Sequence, residues 1–420
     1  MKRTAIHTAI FLSLFSTTTI YAGGLDRSGQ SISAFLQPGN YAEAGISVLD
    51  PSVSGQDKFG NSAPNMAGDY YFPAAAIKVQ ATDHITLGLI YDQPYGADAE
   101  YSGDNAFVAK PTDKIVDGLN YTTGMVGSTA QGGTSVQVKT ENISMLIGYQ
   151  PNENWNIYAG PMYQSVNGSV KLRGELYSVL NGYDLETGTD WSWGWLAGAA
   201  YQIPEIALKA SITYRSEVKH KIDAYENFGL DTDAVAGVVP FLRQASQADG
   251  NFSFSTPQSV NLDFQTGIMA NTIAFANLRW VYWSNFEVRP NKFGLVSSAV
   301  GQMKPEINKP NGFNLIDYKD DQISVTVGVA RKFNDHWGAN ISVGYDTGAG
   351  NPVTTLGPTE GYWSVGTGLR FNPAKNYFIG AGVKYFWLGD AEAVTGAHTE
   401  AGKFSDNHAI GYGLNIGYSF

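Results

Sequence analysis

Cysteine is absent from all 420 residues. That excludes a disulfide framework, a thiolate metal site and a cysteine nucleophile together. Beyond the first 22 residues no run of about 18 apolar residues occurs, so a membrane-spanning helix is not expected. A chain of this kind crosses a bilayer only as a closed barrel, because lipid satisfies no free backbone group. Basic charge is also scarce: the formal net charge is −11, and removal of Lys2 and Arg3 takes it to −13. Such a balance disfavours nucleic acid and anionic lipid as partners of a basic surface. Among the motifs of catalysis, His-Glu-x-x-His and Gly-x-Ser-x-Gly are both missing. His220 near Glu217 and Asp223 carries only a weak hydrolase reading without a nucleophile beside it, and Asp231 with Asp233 reads as a solvated pair rather than a calcium site. No enzyme activity, cofactor or metal is expected.

What is present begins with an export signal. Lys2 and Arg3 precede a mostly apolar stretch from Ala9 to Phe15, and Ala22 offers a small residue for cleavage, so residues 1–22 read as a signal peptide. Glycine numbers 48 and aromatic residues make up 13 %, as a curved sheet flanked by interfacial Tyr and Trp requires. Period-two alternation recurs along the chain. Trp337, Ala339, Ile341, Val343 and Tyr345 interleave with Gly338, Asn340, Ser342 and Gly344, and Ile206 to Tyr214 alternates in the same way. At the C-terminus Ile410, Tyr412, Leu414, Ile416, Tyr418 and Phe420 share one face. A closing strand with alternating aromatics and a terminal Phe resembles the signal that hands barrels to the barrel-assembly machinery. Short turns are expected at 81–84, 151–154, 203–205, 269–272, 334–336 and 372–376, and long loops at 55–72, 102–134, 174–190, 226–250, 289–320, 347–361 and 390–405. Thirteen connections predict an all-β transmembrane antiparallel barrel of about fourteen strands, placed in the outer membrane of a Gram-negative cell among its lipid and lipopolysaccharide.

Four stretches carry a family resemblance: "YDQPYGADAEY" from Tyr91, "ITYRSEVKHKI" from Ile212, "VYWSNFE" from Val281 and "NDHWGANISVGYDTG" from Asn334. In the order of these stretches and their spread over nearly the whole mature chain, the protein resembles the long-chain fatty acid outer-membrane transporters, the FadL-like barrels. The resemblance implies a fourteen-stranded barrel with an N-terminal plug, an external hydrophobic docking groove on the loops, and a lateral exit through a kinked third strand. Residues 23–39 would be the plug, with Asp26, Arg27 and Ser28 in it, and residues 40–420 the barrel. The family's Asn-Pro-Ala element is missing, which bears on how the plug gates.

A passive route for an amphiphile needs an apolar lane and a cation for a carboxylate. Alternation places Lys171 and Arg173 inward near the external end of one strand, and Arg215, Lys219 and Lys221 inward on another. Pro94 and Gly96 interrupt the third strand and mark the lateral opening, proline being confined to edges and bulges. Leu176, Tyr177, Val179, Leu180 and Tyr183 in one loop, with Phe228, Leu230, Val235, Val238, Val239, Phe241 and Leu242 in another, are candidates for the docking surface. The expected function is passive transport of long-chain fatty acids or other hydrophobic compounds, including aromatic hydrocarbons. Against it stand a general porin, which would have a wet pore and few apolar loop residues, a hydrocarbon-specific channel, and an adhesin using the barrel as an anchor.

Overall fold

A computed structural model describes residues 25–115, 120–229 and 241–420, with backbone alone at residues 241 and 242. The signal segment, Asp231, Asp233 and most of the second apolar loop, Val239 included, lie outside the described residues, as does the Phe241 side chain.

Fourteen antiparallel strands among the described residues form one closed wall. They are β1 Tyr41–Ser52, β2 Tyr70–Gln80, β3 in two pieces at Ile85–Asp92 and Gly96–Glu100, β4 Ser135–Tyr149, β5 Trp155–Lys171, β6 Asp190–Ile203 and β7 Leu208–Arg215. The circuit continues with β8 Ser259–Met269, β9 Thr272–Val281, β10 Gln322–Lys332, β11 Trp337–Asp346, β12 Tyr362–Ala374, β13 Tyr377–Leu388 and β14 His408–Ser419. Each strand pairs with the next, and β14 returns to β1 with Tyr41 opposite Ser419 and Ser52 opposite His408. Closure leaves no free edge along that seam, the condition for burial in lipid.

The alternation is that of a membrane barrel, apolar outward. Ile341, Leu369, Leu414 and Ile416 are each more than half exposed, while Asn340, Ser342, Ser364 and Arg370 between them are buried. Aromatic pairs ring the wall at two levels. Tyr345 with Trp363 and Tyr163 with Trp193 lie near the external ends, and Trp155 with Tyr201 and Trp337 with Phe371 near the periplasmic turns. These belts match the two lipid interfaces.

The long loops form a structured cap. Parts of the first, sixth and seventh make a five-stranded sheet, and the fifth holds a helix at Asn291–Met303. Glu226 of the fourth loop accepts the amide hydrogens of Lys292 and Phe293 at the start of that helix, 3.0 and 2.8 Å away, and the Tyr183 hydroxyl of the third donates to it at 2.7 Å. Burial, then the adjacent Glu226, hold that hydroxyl protonated well above the usual tyrosine range. The fourth loop is longer than expected. β7 ends at Arg215, and Val218–Ile222 pairs with Phe252–Thr256 in a separate hairpin packed against β6.

Residues 25–40 precede β1 and run inside the barrel. Ile32, Phe35 and Leu36 pack against Leu146, Tyr158, Met162 and Leu196 of the wall. Phe35 takes the space a side chain at Gly88 would need, since a Cβ there would stand 2.4 Å from its ring.

Candidate functional site

Above the N-terminal segment lies a cavity of about 60 Å³. Tyr95, Phe252, Phe254, Trp283, Phe286 and Ile316 are among the side chains that line it, and among the described residues no charged one does. Tyr95 and Trp283 meet edge to face with ring centroids 5.5 Å apart, and Trp283 meets Phe286 at 5.2 Å. Each polar handle is used elsewhere: the Tyr95 hydroxyl donates to the Pro257 carbonyl at 3.2 Å, and the Trp283 indole to Gln322 at 2.7 Å. The surface left facing the cavity is therefore aromatic and aliphatic. Three of the four quoted stretches meet here, through Tyr95, Ile222, and Trp283 with Phe286.

The floor of this cavity is polar. Asp26 and Arg279, both inaccessible to solvent, form a two-pronged pair at 2.6 and 3.2 Å. Arg279 also donates to Gln30 at 3.1 Å and to Asn261 at 2.7 Å, so a β9 side chain holds the N-terminal segment at two points. A buried charge pair persists only with this completeness of hydrogen bonding. The Ser28 hydroxyl donates to Asp92 at 2.6 Å, and Arg27 lies over the Tyr70 ring, 4.7 Å from its centroid. Toward the periplasm the Lys209 ammonium donates to the Leu36 carbonyl at 2.8 Å, and Lys78 donates to the Gln37 carbonyl.

The third strand breaks where the sequence suggests. Asp92 pairs with Asn142 of β4, but the next paired residue is Gly96, opposite Lys139. Between them Pro94 offers only its carbonyl, which accepts the Arg27 amide at 2.8 Å, while the Gly96 amide donates to Leu25 at 2.9 Å. The strand thus turns inward and pairs with the N-terminal segment. Among the described residues, Tyr70 to Ala74 of β2 pair with β1 and have no ladder partner in β3. Pro73 stands in this stretch, a second proline where an edge tolerates one.

Other sequence-derived candidates fall differently. Lys171 is exposed, and Val166, Val170 and Leu172 point inward, the reverse of the expected parity. The inner wall is apolar where it lines the cavity, so apolar did not mean lipid-facing at that height. Arg173 is buried but bound to Asp184 at 2.6 Å and to loop carbonyls. Lys219 and Lys221 are exposed on the hairpin, whose buried residues are Val218, His220 and Ile222. His220 faces Asp190 at 2.9 Å rather than Glu217 or Asp223. Arg215 does face the lumen, and its Nη1 has no hydrogen-bond partner among the described residues. Leu176, Leu180 and Phe228 are 0 to 3 % exposed, so in place of an open apolar patch these loops pack together. Leu180 still lines a cap cavity of about 230 Å³ with Phe293, Phe313 and Leu356. Sequence reasoning missed Arg279, Tyr70 and Pro73. Of these only Pro73 carries a local signal, a proline within an alternating run.

A closed fourteen-stranded barrel with an apolar cavity above a polar floor defines an outer-membrane channel for hydrophobic compounds. Residues 117–420 match the outer membrane protein transport protein family (OMPP1/FadL/TodX), and the chain belongs to that family. A comparison with curated proteins gives no match. Among solved structures the fold is shared with a Pseudomonas aeruginosa FadL homologue (17 % identity, 92 % of each chain, TM-score 0.64). It is shared also with the Pseudomonas putida toluene transporter TodX (14 %, 92 % of this chain and 91 % of that one, 0.60) and the Ralstonia pickettii toluene transporter TbuX (12 %, 92 % and 91 %, 0.53).

Proposed function

We propose that this barrel passes uncharged hydrophobic molecules, monoaromatic hydrocarbons foremost, by passive diffusion. The observation that carries the reading is the cavity lined by Tyr95, Trp283 and Phe286, with no charged side chain among the described residues that border it. An apolar ligand gains by leaving water for such a surface, whereas a carboxylate there would be desolvated without a partner. Residues 25–39 act as the plug, held by Asp26, Arg27 and Ser28, and the exit is the break at Pro94 and Gly96. Two of the structural relatives are described as toluene transporters, which supports the class.

Long-chain fatty acids are the second reading, favoured by the Nη1 of Arg215, buried in the lumen without a hydrogen-bond partner among the described residues. A carboxylate would meet that need. Uptake by cells lacking their own transporters, with and without this chain, separates the two. Labelled toluene uptake that depends on the chain and is lost in Trp283→Asp is expected. Dependence for oleate alone, abolished by Arg215→Met, would replace the first reading with the second.

A further inference from the structure

The interval between Tyr70 to Ala74 of β2 and the second piece of β3 is crossed by the Tyr70 side chain. The Tyr70 hydroxyl accepts the Asp98 amide hydrogen and donates to the Asp98 carbonyl at 3.1 Å. It stands in for the backbone ladder that the two strands lack at this height. On the external side the interval is bounded by backbone contacts of the first loop, Gly68 to Asp98 at 2.9 Å and Glu100 to Met66 at 2.7 Å. The Tyr70 ring stacks on Phe72, with centroids 5.9 Å apart, and has the Arg27 guanidinium 4.7 Å from its centroid.

Behind Tyr70 lies a second cavity, of about 80 Å³, bordered by Arg27, Tyr70, Asp98 and Tyr318. Leu25 and Ile316 line both this cavity and the inner one, so the two are neighbours. A molecule passing from the inner cavity toward the bilayer through the β2–β3 interval meets Tyr70 on the way.

We propose that Tyr70 is the latch of the lateral opening. Resting on the lateral-exit reading above, the inference adds the residue that closes the exit and its link to the plug. Two hydroxyl bonds to the backbone of one residue separate more readily than a continuous ladder, in which each residue is held by its neighbours. Arg27 over the ring ties the latch to the N-terminal segment, so displacement of that segment by a ligand loosens Tyr70 as well. The residue positions the exit and has no part in recognising the ligand.

Tyr70→Phe tests this, because it keeps the ring, its stacking and the Arg27 contact and removes only the hydroxyl. Initial uptake of labelled toluene, measured in cells with matched amounts of heat-modifiable barrel, should rise several-fold. Adding Pro94→Val and Gly96→Val to the same chain should abolish the rise. Hydrogen exchange provides a second measurement on the purified barrel: the Asp98 amide should lose protection in Tyr70→Phe while the β11 amides keep theirs. Unchanged or reduced uptake in Tyr70→Phe, with uptake blocked by Pro94→Val/Gly96→Val, would overturn the latch and leave the lateral exit standing. Normal uptake in both would remove the lateral exit and the latch with it.

Discussion

At the scale of single residues, the buried Asp26 and Arg279 pair takes two charges out of water and keeps them only through each other and their hydrogen bonds. Removing one member leaves an uncompensated charge, at roughly 3–5 kcal/mol. Arg279→Met should therefore destabilise the seating of the N-terminal segment by about that amount, whereas Arg279→Met with Asp26→Leu should recover most of the loss. Unfolding in detergent, followed for the two single variants and the double, measures the coupling; an additive double would show that the pair does not anchor the segment. The sequence singles out Asp26 as part of the plug, but Arg279, its partner 253 positions away, did not announce itself. Pro94 did, because a proline inside an alternating run marks a place where the ladder ends, bulges or lies at an edge. Tyr70 did not, since an inward tyrosine at a strand end looks like any interfacial aromatic until its hydroxyl is seen on the Asp98 peptide.

At the scale of the strand, burial parity yields two tests. On β11, Ile341 lies midway between the Trp337 and Tyr345 belts and is 55 % exposed. Ile341→Arg should cost about 2–4 kcal/mol of barrel stability and Tyr345→Arg about 0–1 kcal/mol for the charge, as lipid-facing cations do at the midplane and near the interface. Urea-induced unfolding in lipid vesicles reads the difference, and equal costs would contradict the depth assignment. On β5 the inward residue is Val170 and the outward one Lys171. Val170→Asp places a carboxylate in the apolar cavity and should abolish uptake of an uncharged hydrocarbon, while Lys171→Asp should leave uptake near normal. Loss in the second variant alone would restore the parity expected from sequence. That expectation failed for a definite reason: period two identifies faces but not their solvents, and an inner wall beside a hydrophobic cavity is as apolar as one beside lipid.

For the whole molecule, the N-terminal segment contributes no wall strand, and the β1–β14 seam closes without it. Deleting residues 25–34 from the mature chain should leave assembly intact and raise conductance in planar bilayers, because the wall keeps all its ladders while Phe35 and the Asp26 anchor lose their hold. A correctly folded deletion that stays closed would show that the cap, rather than this segment, seals the lumen. The cap is a strong competitor for that role, since loops 1, 6 and 7 share a sheet and Glu226 ties loops 3, 4 and 5 together.

The sequence by itself determined the barrel, its near strand count, the alternation of short turns and long loops, and the break in β3. Each of these is written in local chemistry, in period two, turn residues and proline, and needs no knowledge of distant neighbours. Only the tertiary structure decided which cations face the lumen, where the apolar cavity sits and which side chain reaches across the β2–β3 interval. Arg173 is consumed by Asp184, Lys219 is carried away on a hairpin, and Tyr95 meets Trp283 across 188 positions of chain (283 minus 95). Those outcomes depend on loop packing and on an N-terminal segment threaded through the lumen, contacts between residues remote in sequence that no local pattern encodes.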